Sequence, residues 1–325
     1  MIDLQGRNIE YVRVSITDRC NFRCIYCMPE EGVSCMSHQE LLTFEEIVRV
    51  LKIMAQMGVH AVRLTGGEPM VRKGCLDLIG MIHEIEGIDR ISITTNGILL
   101  KGHMAEAKAL GLNAVNISLD TLDADDFRTV TRCGDGQVTD VTDAIEEALS
   151  CGLQVKLNAV PVRGMNENAL CNLAALAEHR PIDVRFIELM PIGCAKNLSP
   201  IPNDEIIEQL TGRFGQLQED SSKHGYGPAR YKKPAGFTGS IGFIDAVSHQ
   251  FCHNCNRVRI TPEGILKLCL NHQSGSDLRA LLRGGCSDAE LTEAIRDAIL
   301  HKPVEHGFTD VVDDRELRNM NQIGG

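Results

Sequence analysis

Six short runs rich in β-branched residues punctuate the first 190 residues: Tyr11 to Ile16, His60 to Thr65, Arg90 to Thr95, Asn113 to Ser118, Leu153 to Val160 and Ile182 to Ile187. Such runs read as strands buried on both faces. Between them lie helix-length segments with apolar residues at helical spacing. One runs from Thr43 to Met57, where Thr43 and Glu46 stand at the spacing of a capping box. Strands alternating with helices require crossover connections and hence a parallel sheet. Six strand-helix units fall short of the eight that close a barrel. The expected fold is therefore α/β, a partial (open) parallel β/α barrel, with a doubly wound sheet as the alternative that periodicity alone leaves open.

Polar residues gather where each strand ends: Cys20, Gly66 to Pro69, Thr94 to Asn96, Ser118 and Asp120, Asn158, and Glu188 to Met190. A barrel places its chemistry on that face. Near Pro200 and Pro202 the rhythm changes to a helix from Asn203 to Leu210, a Gly-rich β-structured stretch from Gly225 to Val247, a cysteine cluster and two helices. This divides the chain into residues 1–195, the barrel, and residues 196–325, an α+β extension. The closing Gly324-Gly325 is expected to fray as a mobile tail.

Composition narrows the partners. The net charge is −11 and aromatic residues make up 4% with Trp absent, a poor basis for nucleic-acid binding, so an anionic ligand must meet a local basic pocket. Residues Met1 to Asp18 carry charges where a signal peptide would be apolar, and no apolar run is long enough to span a membrane, so a cytoplasmic protein without a membrane partner is expected. Thirteen cysteines, an odd number, fit a disulfide framework poorly in that compartment and point to metal or iron-sulfur ligation.

Cys20, Cys24 and Cys27 form C-x3-C-x2-C after the first strand. Three thiolates leave a metal centre with an open coordination position, as catalytic sites require. Cys252, Cys255 and Cys269 form a second incomplete set, C-x2-C-x13-C, interleaved with Arg257 and Arg259. If Arg257 to Ile260 is extended, the two arginines share one face and can grip a polyanion together. A rival reading pairs Cys24 and Cys27 with Cys252 and Cys255 in a four-cysteine zinc site, leaving Cys20 and Cys269 unexplained. Cys35, Cys75, Cys133, Cys151, Cys171, Cys194 and Cys286 stand alone and read as structural.

The first motif, with Tyr26 inside it and Gly66-Gly67-Glu68-Pro69 after the second strand, resembles the radical S-adenosylmethionine superfamily. The wider set is similar to the GTP 3',8-cyclase family of molybdenum-cofactor biosynthesis, over nearly the whole chain except Leu198 to Gly239. Its carriers are Val12 to Cys24, Val62 to Pro69, Thr94 to Gly97, Asn116 to Asp120, Arg185 to Met190, Phe251-Cys252, Cys255 to Arg259 and Ile323 to Gly325. The resemblance implies two [4Fe-4S] clusters, one on Cys20, Cys24 and Cys27 and an auxiliary one on Cys252, Cys255 and Cys269. It implies S-adenosylmethionine against Tyr26, Gly67, Ser118 and Met190, and GTP among Arg13, Arg63, Thr94, Lys156, Arg185, Arg257 and Arg259. The catalytic set would be the first triad with Arg257 and Arg259.

The implied reaction begins with a 5'-deoxyadenosyl radical and joins the ribose 3' carbon to guanine carbon 8. It calls for a one-electron reductant and for cyclic pyranopterin monophosphate synthase downstream, with a homodimer among the expected assemblies. The resemblance also implies a Gly324-Gly325 tail reaching into the site. One departure stands out: where relatives often carry a basic residue this chain has Ala61, with His60 beside it as a substitute. No phosphate-loop motif is present, so GTP is expected as a substrate for rearrangement. Two alternatives remain: a radical S-adenosylmethionine enzyme that modifies peptides with an auxiliary cluster, and a non-enzymatic zinc-stabilised binding module.

Overall fold

A computed structural model of the 325-residue chain describes residues 1–249, 251–308 and 315–325. The first half alternates as expected: β1 (Tyr11–Ser15), α1 (Phe44–Gln56), β2 (Ala61–Thr65), α2 (Cys75–His83), β3 (Arg90–Thr95), α3 (Met104–Ala109) and β4 (Ala114–Ser118). There follow α4 (Ala124–Thr131), α5 (Val138–Ser150), β5 (Gln154–Ala159), α6 (Leu170–His179) and β6 (Ile182–Ile187). The capping box is formed: Thr43 Oγ1 accepts from the Glu46 N–H at 3.1 Å and the Glu46 carboxylate accepts from the Thr43 N–H at 2.8 Å. Two otherwise orphaned donors are satisfied there, which fixes where α1 begins.

The second half brings α7 (Asn203–Phe214), β7 (Leu217–Glu219), β8 (Arg230–Pro234), β9 (Ser240–Ile244), β10 (Arg257–Ile260), β11 (Ile265–Lys267) and β12 (Ser276–Asp277). It ends with α8 (Leu278–Arg283), α9 (Asp288–Leu300) and the single turn α10 (Met320–Ile323). All strands join one open sheet in the order β12-β11-β10-β1-β2-β3-β4-β5-β6-β9-β8-β7. The parallel part is thus wider than six strands. β10 lies parallel beside β1, and β9 lies parallel beside β6, so the extension supplies both flanks of the barrel. Spacing could not reveal this, because both partners are more than fifty residues from the strands they join.

The strands are buried on both faces, with opposite chemistry on each. Val12, Val14, Val62, Leu64, Ile91 and Ile93 belong to the apolar core shared with helix residues such as Leu51, Met54, Leu78 and Ile82. The alternate positions, Arg13, Arg63, Thr65 and Thr94, line an interior cavity. An ordinary barrel fills its interior with branched apolar side chains; this one is built around polar space. Among the described residues no helix is long and apolar enough to cross a membrane.

Candidate active site

Register aligns the cations. Arg13 on β1 lies opposite Arg259 on β10 and Arg63 on β2, and Arg185 on β6 lies opposite Asn158 on β5. Arg13, Arg63, Arg185, Arg257 and Arg259 all line one cavity, and among the described residues none of the five has a carboxylate at ion-pair distance. Their bonds go to neutral groups instead: Arg63 donates to Ser92 Oγ at 3.2 Å, Arg185 to Asn116 Oδ1 at 2.6 Å and Arg259 to the Gly324 carbonyl at 2.7 Å. The Nε atoms of Arg13 and Arg185 are buried without a partner. Burial pulls Arg13 below its ordinary pKa, Arg63 down to about 9 and Arg259 well down, with neighbouring guanidiniums adding to each shift. Five crowded guanidiniums without counter-ions are costly alone and strongly favour a bound polyanion.

The first cysteine triad closes the end of the cavity beyond the C-terminal ends of the strands, and Cys20, Cys24 and Cys27 all line it. Burial pushes the Cys20 thiol up to about 11, Cys27 up to about 12 and Cys24 well up. The loop is locked to the segment after β2: the Gly67 N–H donates to the Thr17 carbonyl and the Glu68 N–H to the Arg19 carbonyl, both at 2.8 Å. A Cβ on Gly66 would stand 2.6 Å from the Thr17 carbonyl oxygen, and one on Gly67 would stand 2.4 Å from that of Arg19. Gly66 and Gly67 are required for two backbone segments to touch. The Glu68 carboxylate then accepts from the N–H groups of Met70 and Asn96 and from Thr95 Oγ1, at 3.1, 2.7 and 2.9 Å. Tyr26 donates to Asp120 Oδ2 at 2.7 Å, while the Val160 N–H donates to Oδ1 at 2.8 Å. Tyr26, Gly67, Ser118 and Met190 share the cavity wall with this triad.

The second triad lies at the opposite end. Cys255 precedes Arg257, which pairs with Tyr11 at the start of β1, whereas Cys20 follows its end. The four residue steps of β1 separate the ends by roughly 13 Å at about 3.3 Å per residue. The Cys24 thiol faces Cys27 and Cys20, and the Cys252 thiol faces Cys269 and Cys255, so the structure does not bring Cys24, Cys27, Cys252 and Cys255 together as one four-cysteine zinc site. Around Cys255, burial is outweighed by Arg257 and Lys302, which bring its thiol down to about 6. Arg7 ties this end together: its guanidinium donates to the carbonyls of Cys252, Lys302, Pro303 and Val304 at 2.8–3.2 Å while paired with Asp3 at 2.6 Å. The cavity, open mouth included, holds about 2070 Å³ of atom-free space.

The radical S-adenosylmethionine superfamily model matches residues 14–177, and the model for molybdenum cofactor synthesis C matches residues 182–308. A relative called GTP 3',8-cyclase from Clostridium perfringens (strain 13 / Type A) is 45% identical over 325 residues, covering 100% of both chains. Another of that name, from Desulforamulus reducens, is 46% identical over 329 residues, also covering 100% of both. The chain belongs to the GTP 3',8-cyclase family. Among solved structures, Streptococcus suis SuiB is similar with a TM-score of 0.62 at 15% identity, over 92% of this chain and 67% of that one. Its form bound to S-adenosylmethionine gives 0.61 at 15%, over 89% and 68%. At that identity the likeness concerns the fold alone.

Of the residues that the cyclase-family pattern marks, all but Lys156 line the cavity. The Lys156 ammonium is turned into a buried network, where it donates to Asp183 Oδ2 at 2.8 Å, to the His224 carbonyl and to Tyr231 Oη at 3.3 Å. His224 bridges Asp183 and Asp220 at 2.9 and 3.1 Å and stacks on Tyr231 at 3.7 Å. This network comes from the motif-free stretch, so no signal pointed to it. His60 does not replace the missing cation at Ala61; it faces Glu10 at 3.2 Å and Asp89 at 3.4 Å. Nor does the terminal segment fray. Gly324 is buried at φ +78° with Ser15 and Thr65 where a Cβ would go, and Gly325 lines the cavity. Glu68 and Asp120 stood in recognisable strand-end segments, but their roles as backbone anchors needed the structure. Arg7 and Lys302 carry no spacing that sets them apart.

Proposed function

We propose that the chain cyclises GTP to (8S)-3',8-cyclo-7,8-dihydroguanosine 5'-triphosphate, the first step of molybdenum-cofactor biosynthesis. The observation that carries this is the set of five carboxylate-free guanidiniums, Arg63 and Arg185 buried and Arg13, Arg257 and Arg259 half-buried, lying between two incomplete cysteine triads. The residues fit the implied groups: each triad leaves an iron open, and orphaned Thr65 Oγ1, Asn158 Oδ1 and Arg13 Nε are buried polar atoms in need of partners. S-adenosylmethionine at a four-iron cluster on Cys20, Cys24 and Cys27 would supply the radical chemistry.

Arg13, Arg63, Arg185, Arg257 and Arg259 neutralise and orient the triphosphate, with Thr94 on the same wall. Tyr26 and Asp120 are held rigid by their mutual bond, and Gly67, Ser118 and Met190 line the cosubstrate's end. Lys156 acts on GTP only after leaving Asp183 and the His224 carbonyl, so its contribution is conditional. Cys252, Cys255 and Cys269 would hold the second cluster and accept the guanine. In this reading residues 1–195 generate the radical and residues 196–325 hold the substrate. A one-electron reductant is required, the product passes to cyclic pyranopterin monophosphate synthase, and the site lies in the cytoplasm. Assembly as a homodimer is checked by sedimentation.

The decisive test is anaerobic turnover of iron-reconstituted protein with reductant, S-adenosylmethionine and GTP, separating nucleotides because the product is isomeric with GTP. GTP-dependent 5'-deoxyadenosine with a new isomeric peak is expected. Its formation at a rate indifferent to GTP would keep the radical chemistry and overturn the substrate.

A further inference from the structure

A second pocket lies outside the cavity, at the N-terminal ends of β3, β4 and β5 and against the loop that joins β7 to β8. Among the described residues none lines both. The second pocket's wall carries Arg90 at the start of β3, Lys108 in α3, Asn113 just before β4, Gln154 at the start of β5, and Lys223 and Tyr226 from the loop. Five separate segments thus bring three cations and no carboxylate to one wall. Among the described residues none of the three cations has a carboxylate at ion-pair distance. Arg90 donates to Gln154 Oε1, Lys108 donates to the Gly152 carbonyl at 2.9 Å, and the Lys223 ammonium lies 5.4 Å from the centre of the Tyr226 ring. The two amides have their oxygens occupied: the Ile91 N–H donates to Asn113 Oδ1 at 2.6 Å, and Arg90 takes Gln154 Oε1. A backbone N–H and a guanidinium only donate, so each half-buried amide keeps its NH2 as the group without a protein partner. The loop is seated on the barrel, since the His224 carbonyl accepts from Lys156 and the Tyr226 ring packs on His60 at 5.0 Å and on Tyr11 at 6.4 Å. The acids that face Tyr226, Glu10 and Asp89, stand at His60 at 3.2 and 3.4 Å. In a chain of net charge −11, a pocket walled by cations and donors is a local feature that favours an anion.

We propose that this pocket is a second anion site, which takes a phosphate-bearing ligand between Arg90, Lys108 and Lys223 with the amide nitrogens of Asn113 and Gln154 as further donors. Cations arriving from three directions match the several oxygens of a di- or triphosphate. Free polyphosphate and the phosphate tail of a nucleotide share that chemistry. The site shares no residue with the cyclase cavity and does not depend on what that cavity binds.

The test is anaerobic acetylation of lysines in the iron-loaded protein, read residue by residue by peptide mapping, with pyrophosphate or ATP compared against sodium chloride of equal ionic strength. Modification of Lys108 and Lys223 should slow about tenfold once the ligand stands near ten times its Kd, while the exposed Lys52 keeps its rate. Protection by pyrophosphate identifies a site for free polyphosphate, and protection by ATP alone identifies one for a nucleotide's tail. Both lysines are exposed, so each can be replaced without disturbing the core and each reports on the other. Lys108→Gln should remove most of the protection of Lys223, and Lys223→Gln most of that of Lys108. Arg13→Met, a change in the main cavity, should leave the protection of both intact. No protection by either ligand overturns the site, as does protection of each lysine that is indifferent to loss of the other. Protection abolished by Arg13→Met would place the anion in the main cavity and also overturns it.

Discussion

The two ends of the cavity hold the same number of thiols in opposite electrostatic settings. Around Cys20, Cys24 and Cys27 the neighbours are a tyrosine and carboxylates, and burial keeps the thiols protonated. Around Cys255 stand Arg257 and Lys302, which favour the thiolate. The contrast shows that a cysteine motif fixes which atoms can bind iron, while the surrounding charge fixes what else they can hold. A cationic end suits an anionic substrate; a more neutral end suits a cosubstrate that itself carries a positive sulfonium.

Exchanging one thiol at each end tests the contrast most severely. Cys24→Ser should abolish 5'-deoxyadenosine formation, whereas Cys255→Ala should retain some cleavage of S-adenosylmethionine while losing the cyclic nucleotide; chromatography of both products separates the two. Equal loss in both variants would erase the functional distinction between the ends. Next in size is Arg13→Met. Removing one unpaired guanidinium should cut GTP affinity roughly 10- to 100-fold yet raise the melting temperature of the ligand-free protein, because a buried repulsion is relieved. A lower melting temperature would mean that the cations are mutually satisfied.

Metal-free protein gives a titration. Cys255, with its pKa brought down to about 6, should alkylate with iodoacetamide at a rate that levels off above neutral pH, while Cys20, raised to about 11, should still be accelerating at pH 9. Peptide mapping reads both, and Arg257→Met should steepen the Cys255 profile. The smallest effect is set for Gly324→Ala. A Cβ there meets Ser15 Cβ at 2.7 Å with φ at +78°, so the terminal turn should lift from the cavity at a cost of about 1 kcal/mol in stability. The variant should also lose the Arg259 contact, and an unchanged turnover rate would show that this turn is only packing.

Much of this was legible beforehand for identifiable reasons. Strand boundaries held to a residue or two because β-branched runs and capping residues act locally. Both triads were visible because cysteine spacing is written along the chain. The interior row of arginines was half visible: Arg257 and Arg259 share a face by period two, but their alignment with Arg13 and Arg63 depends on β10 choosing β1 as its neighbour. Lys156 shows the limit most plainly. It lies on the inward face as expected, yet a carboxylate one strand away and a carbonyl from a Gly-rich loop turn its ammonium aside. Arg7 and Lys302 act through atoms that only tertiary contact brings to the cysteines.

The sheet's order has a consequence for the chain as it is made. Both flanks of the first barrel half, the outer edges of β1 and β6, wait for β10 and β9. At about 5–20 residues per second, the edge of β1 emerges from the ribosome roughly 10 to 50 s before its partner exists. During that time it presents unpaired amides and carbonyls, the surface most prone to join another chain. A protein of this design must be sheltered at birth, and its first half expressed alone should be insoluble.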